Sequence, residues 1–108
     1  MNNKYTDLNL PSKNNNIPRI AAPEIHRMLT ISTGHITKET ASLLDIAEME
    51  TVAYRKDDYG WFVTDWDLDD DTLPDDLRVC VEYAEKNECD WLCLDCDGPV
   101  ADGLPVYR

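Results

Sequence analysis

The chain is short of basic residues. Ten Lys and Arg stand against twenty-two Asp and Glu in 108 residues, a formal charge of −12. Nucleic-acid binders need Lys and Arg at the phosphates, so this balance argues against direct nucleic-acid contact. Long apolar runs are missing too. None approaches the roughly 20 residues of a membrane-crossing helix. Residues 1–20 hold no apolar stretch of the kind an export leader carries, so a cytoplasmic location is expected. Glycine is scarce, at four, and phenylalanine occurs once. At this length the chain holds one domain with a modest core.

Four cysteines are present, Cys80, Cys89, Cys93 and Cys96. In a reducing compartment they read as free thiols. The Cys93-x-x-Cys96 spacing matches half of a zinc site, but on a strand the two residues face opposite ways, which breaks the chelate. We expect no bound metal and no cofactor.

Charge is unevenly spread. Residues 1–36 carry four bases and two acids, while residues 37–108 carry six bases and twenty acids. Residues 1–24 are rich in asparagine, contain Pro11, Pro18 and Pro23, and show no periodicity. They read as a flexible arm before a single acidic domain over 25–108.

Within the domain, alternation over Met28 to Thr33 predicts a strand. Gly34 and His35 turn the chain. Thr37 caps a helix running to about Glu48. Two short strands, Thr51–Arg55 and Trp61–Trp66, flank a turn containing Gly60. Pro74 opens a second helix, with Asp71 or Thr72 as cap. Its Leu77, Cys80, Val81 and Ala84 recur at i, i+3, i+4 and i+7, and Asn87 is its stop. Trp91 to Cys96 is a further strand, and Leu104 to Tyr107 an edge segment. The order β-α-β-β-α-β predicts an α+β two-layer sandwich of the ferredoxin-like type. Both helices then cover one sheet face. The other face, with apolar residues of its own, needs the arm, a second copy in a homodimer, or a partner.

Several segments together resemble a known family. They are Ile31-Ser32-Thr33-Gly34-His35-Ile36-Thr37, Glu39-Thr40-Ala41, Leu43-Leu44-Asp45, Tyr59-Gly60-Trp61-Phe62-Val63, Leu73-Pro74-Asp75-Asp76-Leu77, Asp90 to Asp97, and Leu104-Pro105-Val106-Tyr107. In this order they resemble a family of small acidic proteins of unknown function carried on bacterial plasmids, prophages and genomic islands. The likeness spans roughly residues 28–108. It implies an accessory role on a mobile element, where small acidic proteins are often inhibitors of host defence. It supplies no catalytic residues.

Three motifs invite a chemical reading. Leu94-Asp95-Cys96-Asp97-Gly98 looks like the D-x-D-G signature of haloacid-dehalogenase-type phosphatases, whose paired aspartates work with magnesium. Only eleven residues follow Asp97, too few for the rest of that enzyme. A strand end followed by a Gly-Pro turn is the simpler reading. A metal-dependent phosphoryl-transfer or metal-binding protein built on Asp95, Asp97 and the cysteines stands as the rival function. Asp65 to Asp71 has the alternating carboxylates of a calcium loop but puts Asp70 where such a loop needs glycine. Ser32-Thr33-Gly34-His35 lies at a strand end, where the side chains serve as caps and His35 is a candidate base.

The strongest signal is physical. Seven acids lie between Asp65 and Asp76 with no base among them. Trp66 and Leu68 are interleaved. Carboxylates so spaced imitate phosphates and steer toward a basic groove. We therefore expect a non-enzymatic protein that binds a basic, nucleic-acid-handling or defence protein, by DNA mimicry. Its contact residues are Asp65, Asp67, Asp69, Asp70, Asp71, Asp75 and Asp76, with Trp66 and Phe62 (or Trp61) as anchors. The bland alternative is that the acids only keep a small domain in solution.

Overall fold

A computed structural model describes residues 23–46 and 51–107. The elements are β1 (Met28–Ser32), a 3-10 turn (Thr33–His35), α1 (Lys38–Ile46), β2 (Val52–Lys56), β3 (Gly60–Thr64), α2 (Asp75–Lys86) and β4 (Trp91–Asp95). The expected arm falls almost wholly outside the described residues, as do Ala47 and Glu48 at the expected end of α1.

The architecture is α+β, with two helices and a four-stranded mixed sheet. Along the chain the elements follow the expected order, but the sheet does not have the ferredoxin-like arrangement. That arrangement would place the first strand inside the sheet. Here the lateral order is β1-β4-β3-β2, and β1 lies at an edge. It pairs in parallel with β4, with Ile31 opposite Leu94. β3 pairs antiparallel with β4 and with β2. The strand compositions account for the exchange. β4 buries Leu92, Cys93 and Leu94, so both of its faces are covered. β1 buries only Ile31 and exposes Met28 and Thr30. A strand apolar on both faces gains most inside a sheet, and an alternating one loses least at its edge.

One face of the sheet carries the core. Ile31, Trp61, Val63, Leu92 and Leu94 meet Leu44 of α1 and Leu77, Cys80 and Val81 of α2 in one cluster. Both helices therefore lie on that side. The stripe expected on α2 is the buried one. Pro74 itself occupies the N-cap position, not Asp71 or Thr72, and the helix begins at Asp75. Thr37 caps α1 as expected, its hydroxyl accepting from the Thr40 amide at 3.2 Å. Gly60 opens β3 with φ +152°, and a Cβ there would stand 1.7 Å from the Leu94 carbonyl oxygen. No other residue fits so close an approach.

On the opposite face Tyr54 stacks on Trp91 with ring centroids 6.2 Å apart. Lys56 lies over Phe62 and pairs with Asp95. Among the described residues no helix covers this side.

Residues 99–107 form no strand, contrary to the edge segment expected at Leu104–Tyr107. They run past the 3-10 turn, and the Tyr107 amide donates to the Gly34 carbonyl at 2.7 Å. Pro105 turns its carbonyl onto the His35 ring. The Pro105 carbonyl and the Tyr107 amide are thereby engaged by His35 and Gly34 and not by a neighbouring strand.

Candidate interaction surface

The segment between β3 and α2 is fixed by its own side chains. Asp65 leaves the strand with φ 53°, the left-handed region that Asp tolerates better than most residues. The Asp67 carboxylate accepts from the Asp69 amide at 2.9 Å. That of Asp70 accepts from the amide and hydroxyl of Thr72, at 2.9 and 2.7 Å. These are Asx turns, in which a short carboxylate stands in for a backbone carbonyl. Arg78 reaches out from α2 and donates to the carbonyls of Leu68 and Asp70. Trp66 and Leu68 pack against the core cluster from outside. The Trp66 indole N–H donates to Glu85 at 2.8 Å.

The seven acids therefore divide by task. Asp67 and Asp70 fold the loop. Asp76 is buried and holds two helices together: its carboxylate accepts from the Thr37 amide at 2.7 Å, the Thr40 hydroxyl at 2.6 Å and the Leu77 amide at 2.9 Å. It presents little to a partner. Asp65, Asp69, Asp71 and Asp75 are exposed, and Asp67 is exposed as well. Among the described residues the ion pairs engage Glu24, Asp45, Asp58, Asp90 and Asp95, and none of these five exposed acids.

The expected anchors are separated. Trp66 lies with the acidic loop. Phe62 lies on the far face of the sheet, beneath Lys56. Trp61 is 6% exposed, donates to Asp45 at 2.9 Å and has Arg55 over its ring, so it belongs to the core.

The other motifs resolve into local structure. Asp95 ends β4, and its carboxylate accepts from the Asp97 amide at 2.8 Å. The ligand atoms of Asp95, Cys96 and Asp97 lie within 4.8 Å of one another. The ammonium of Lys56 sits on Asp95 and, with the Asp97 amide, holds that carboxyl below the usual carboxylate range. A cation at this triad would have to displace it. The four cysteines are free thiols. Ser32 is a cap, accepting from the Gly34 amide at 2.9 Å. His35 is 2% exposed, and both of its ring nitrogens are engaged by the C-terminal segment.

One cluster went unread in the sequence. His26 meets Asp90 at 2.5 Å and Glu24 at 3.2 Å. Hydrogen bonding to Asp90, then to Glu24, raises His26 above its ordinary value, and the imidazole lowers Asp90. His26 and Asp90 are 64 positions apart, and no spacing signal links them. Beside this pair lies a shallow cavity of about 250 Å³, shared with Asp65, Trp66 and Glu85.

Fold and surface together define a small α+β domain with an acidic loop beside its second helix that no ion pair neutralises among the described residues. Residues 28–108 match the family described as "Family of unknown function (DUF5983) C-terminal domain". The chain belongs to this family. No curated protein and no solved structure matches it. No helix among the described residues is long and apolar enough to cross a membrane.

Proposed function

We propose that this chain is a non-enzymatic interaction protein that docks on a basic, nucleic-acid-handling protein and blocks it, its acidic loop taking the place of phosphates. One observation carries the reading. Asp65, Asp69 and Asp71 are exposed on a loop whose backbone is tied down by Arg78 and two Asx turns, Asp75 is exposed at the start of α2, and among the described residues no ion pair neutralises them. A rigid array of charge loses less entropy on binding than a mobile one. Resemblance to small acidic proteins of mobile elements points to a host defence protein as the target. The rival reading, phosphoryl transfer at Asp95 and Asp97, draws support from the closeness of those carboxylates and loses it to Lys56, which already occupies Asp95.

The test is capture from a bacterial lysate at low and high salt, comparing the native chain with a variant carrying Asp65→Asn, Asp69→Asn, Asp71→Asn and Asp75→Asn. Among the described residues these side chains make no hydrogen bond or ion pair, so the variant should stay folded, with a urea midpoint close to the native one. A nucleic-acid-handling protein retained at low salt, released by duplex DNA and lost in the variant is the expected result. Capture indifferent to salt and to the four substitutions would sink the phosphate-mimic reading.

A further inference from the structure

The cavity between the acidic loop and the β1–β4 junction has the chemistry of a receptor for one side chain. Three of its walls are carboxylates: Asp65 from the loop, Glu85 from α2 and Asp90 from the turn before β4. A fourth is the Trp66 indole, held in place by its 2.8 Å hydrogen bond to Glu85. Thr64 lies beneath, its hydroxyl donating to the Asp90 carbonyl at 2.9 Å. Among the described residues only His26 answers the three negative charges, through Asp90.

We propose that this cavity takes an arginine side chain of the protein partner, its guanidinium lying against the Trp66 ring and donating to Asp65 and Glu85. Guanidinium is planar, weakly hydrated and forked. It stacks on aromatic faces and bonds carboxylates along two directions at once, which a compact ammonium does not. The spacing of the carboxylates separates this ligand from a metal ion. Among the described residues the acids and thiols whose ligand atoms gather within 4.8 Å are Asp95, Cys96 and Asp97, not those of this cavity. Carboxylates standing apart around an aromatic wall suit a broad cation. The inference rests on the interaction reading above and gives it a point of address: the loop steers, and the cavity selects one residue of the partner.

The probe is N-acetyl-arginine methylamide, with the citrulline analogue as a neutral control of the same shape. The readout is the indole 15N–1H signal of Trp66, assigned by Trp66→Phe. The arginine probe should shift this signal saturably and leave that of the core residue Trp61 in place, while the citrulline probe does neither. Glu85→Gln keeps an acceptor for the indole and removes one charge, and Asp65→Asn removes another. Each should weaken the probe about three- to fivefold. Asp57→Asn, an equal change of charge in the exposed β2–β3 turn, outside both the cavity and the acidic loop, should leave the affinity within error. Equal response to citrulline, or an unmoved Trp66 signal, would overturn the proposal. An Asp57→Asn loss as large as that of Glu85→Gln would overturn it as well, showing that the probe answers only the net charge of the protein.

Discussion

The amide of Ala101 donates to Nε2 of His35 at 2.9 Å, across 66 positions of chain. A backbone N–H can only donate, so Nε2 is the bare nitrogen of the ring. The proton is then on Nδ1, which donates to the Pro105 carbonyl at 2.7 Å. Two opposite roles fix one neutral tautomer. Around this ring the C-terminal segment folds back, and Ala101 and Leu104 pack on the core cluster. His35→Ala should cost about 2–4 kcal/mol, since it opens a cavity and strands a buried amide. Urea unfolding at unchanged slope is the measurement. A loss under about 0.5 kcal/mol, the range of an ordinary surface substitution, would show that the segment is held without the ring.

Asp76 gives a second test of stability. It serves the start of α1 and the first turn of its own helix at once, and a neutral side chain of the same shape keeps only part of this. Asp76→Ala should destabilise by about 2–3 kcal/mol, as buried caps do. Asp71→Ala, one of the exposed acids, should stay within about 0.5 kcal/mol. Equal values for the two would mean that the buried carboxylate is not the link between the helices.

These two residues also show where sequence reading reaches its limit. The stripe Leu77, Cys80, Val81 and Ala84 is a local periodicity, and α2 follows from it directly. The β2–β3 hairpin and the Thr37 cap are local as well. Asp76 reads from its neighbours as one more acid of an acidic run. Its role depends on Thr37 and Thr40, 39 and 36 positions away. The lateral order of the strands is equally non-local. It depends on β4 being apolar on both faces, which the residues Trp91 to Cys96 display, but which chain order alone does not convert into a place inside the sheet. The Trp66 surface is legible in part: the loop and its tryptophan are consecutive, whereas Glu85, Asp90 and His26 reach it only through the fold.

The thiols should separate by reactivity. Burial, then the nearby charge of Asp76, pushes the Cys80 thiol up to about 12, and its side chain is 1% exposed. Thiolate is the reacting form, so Cys80 should be inert. Cys96 is exposed in the turn after β4, while Cys89 and Cys93 are buried. A disulfide-exchange reagent at pH 8 should modify Cys96 first and Cys80 only as the domain unfolds. Cys96→Ser should abolish the fast phase. Rapid labelling of Cys80 in the native protein, located by peptide mass, would place the thiol nearer solvent than the fold does.

The pair of His26 and Asp90 ties the chain entering β1 to the turn that begins β4, and it sets a pH window. His26 is raised from 6.5, so its contribution is complete below that value and is lost as pH rises through the raised one. Asp90 is lowered from 3.8, so its contribution is complete above that value and is lost as pH falls through the lowered one. The junction is therefore tightest between about pH 4 and 6.5. The Trp91 ring lies edge-on to His26, with centroids 6.5 Å apart, and its indole signal reports on the imidazole. Titration of the His26 ring by NMR should give a midpoint above the ordinary one, with the Trp91 signal following the same curve. Asp90→Asn should bring that midpoint down, leaving the smaller effect of Glu24. An unchanged midpoint in Asp90→Asn would show that the 2.5 Å contact is not what holds the proton on His26.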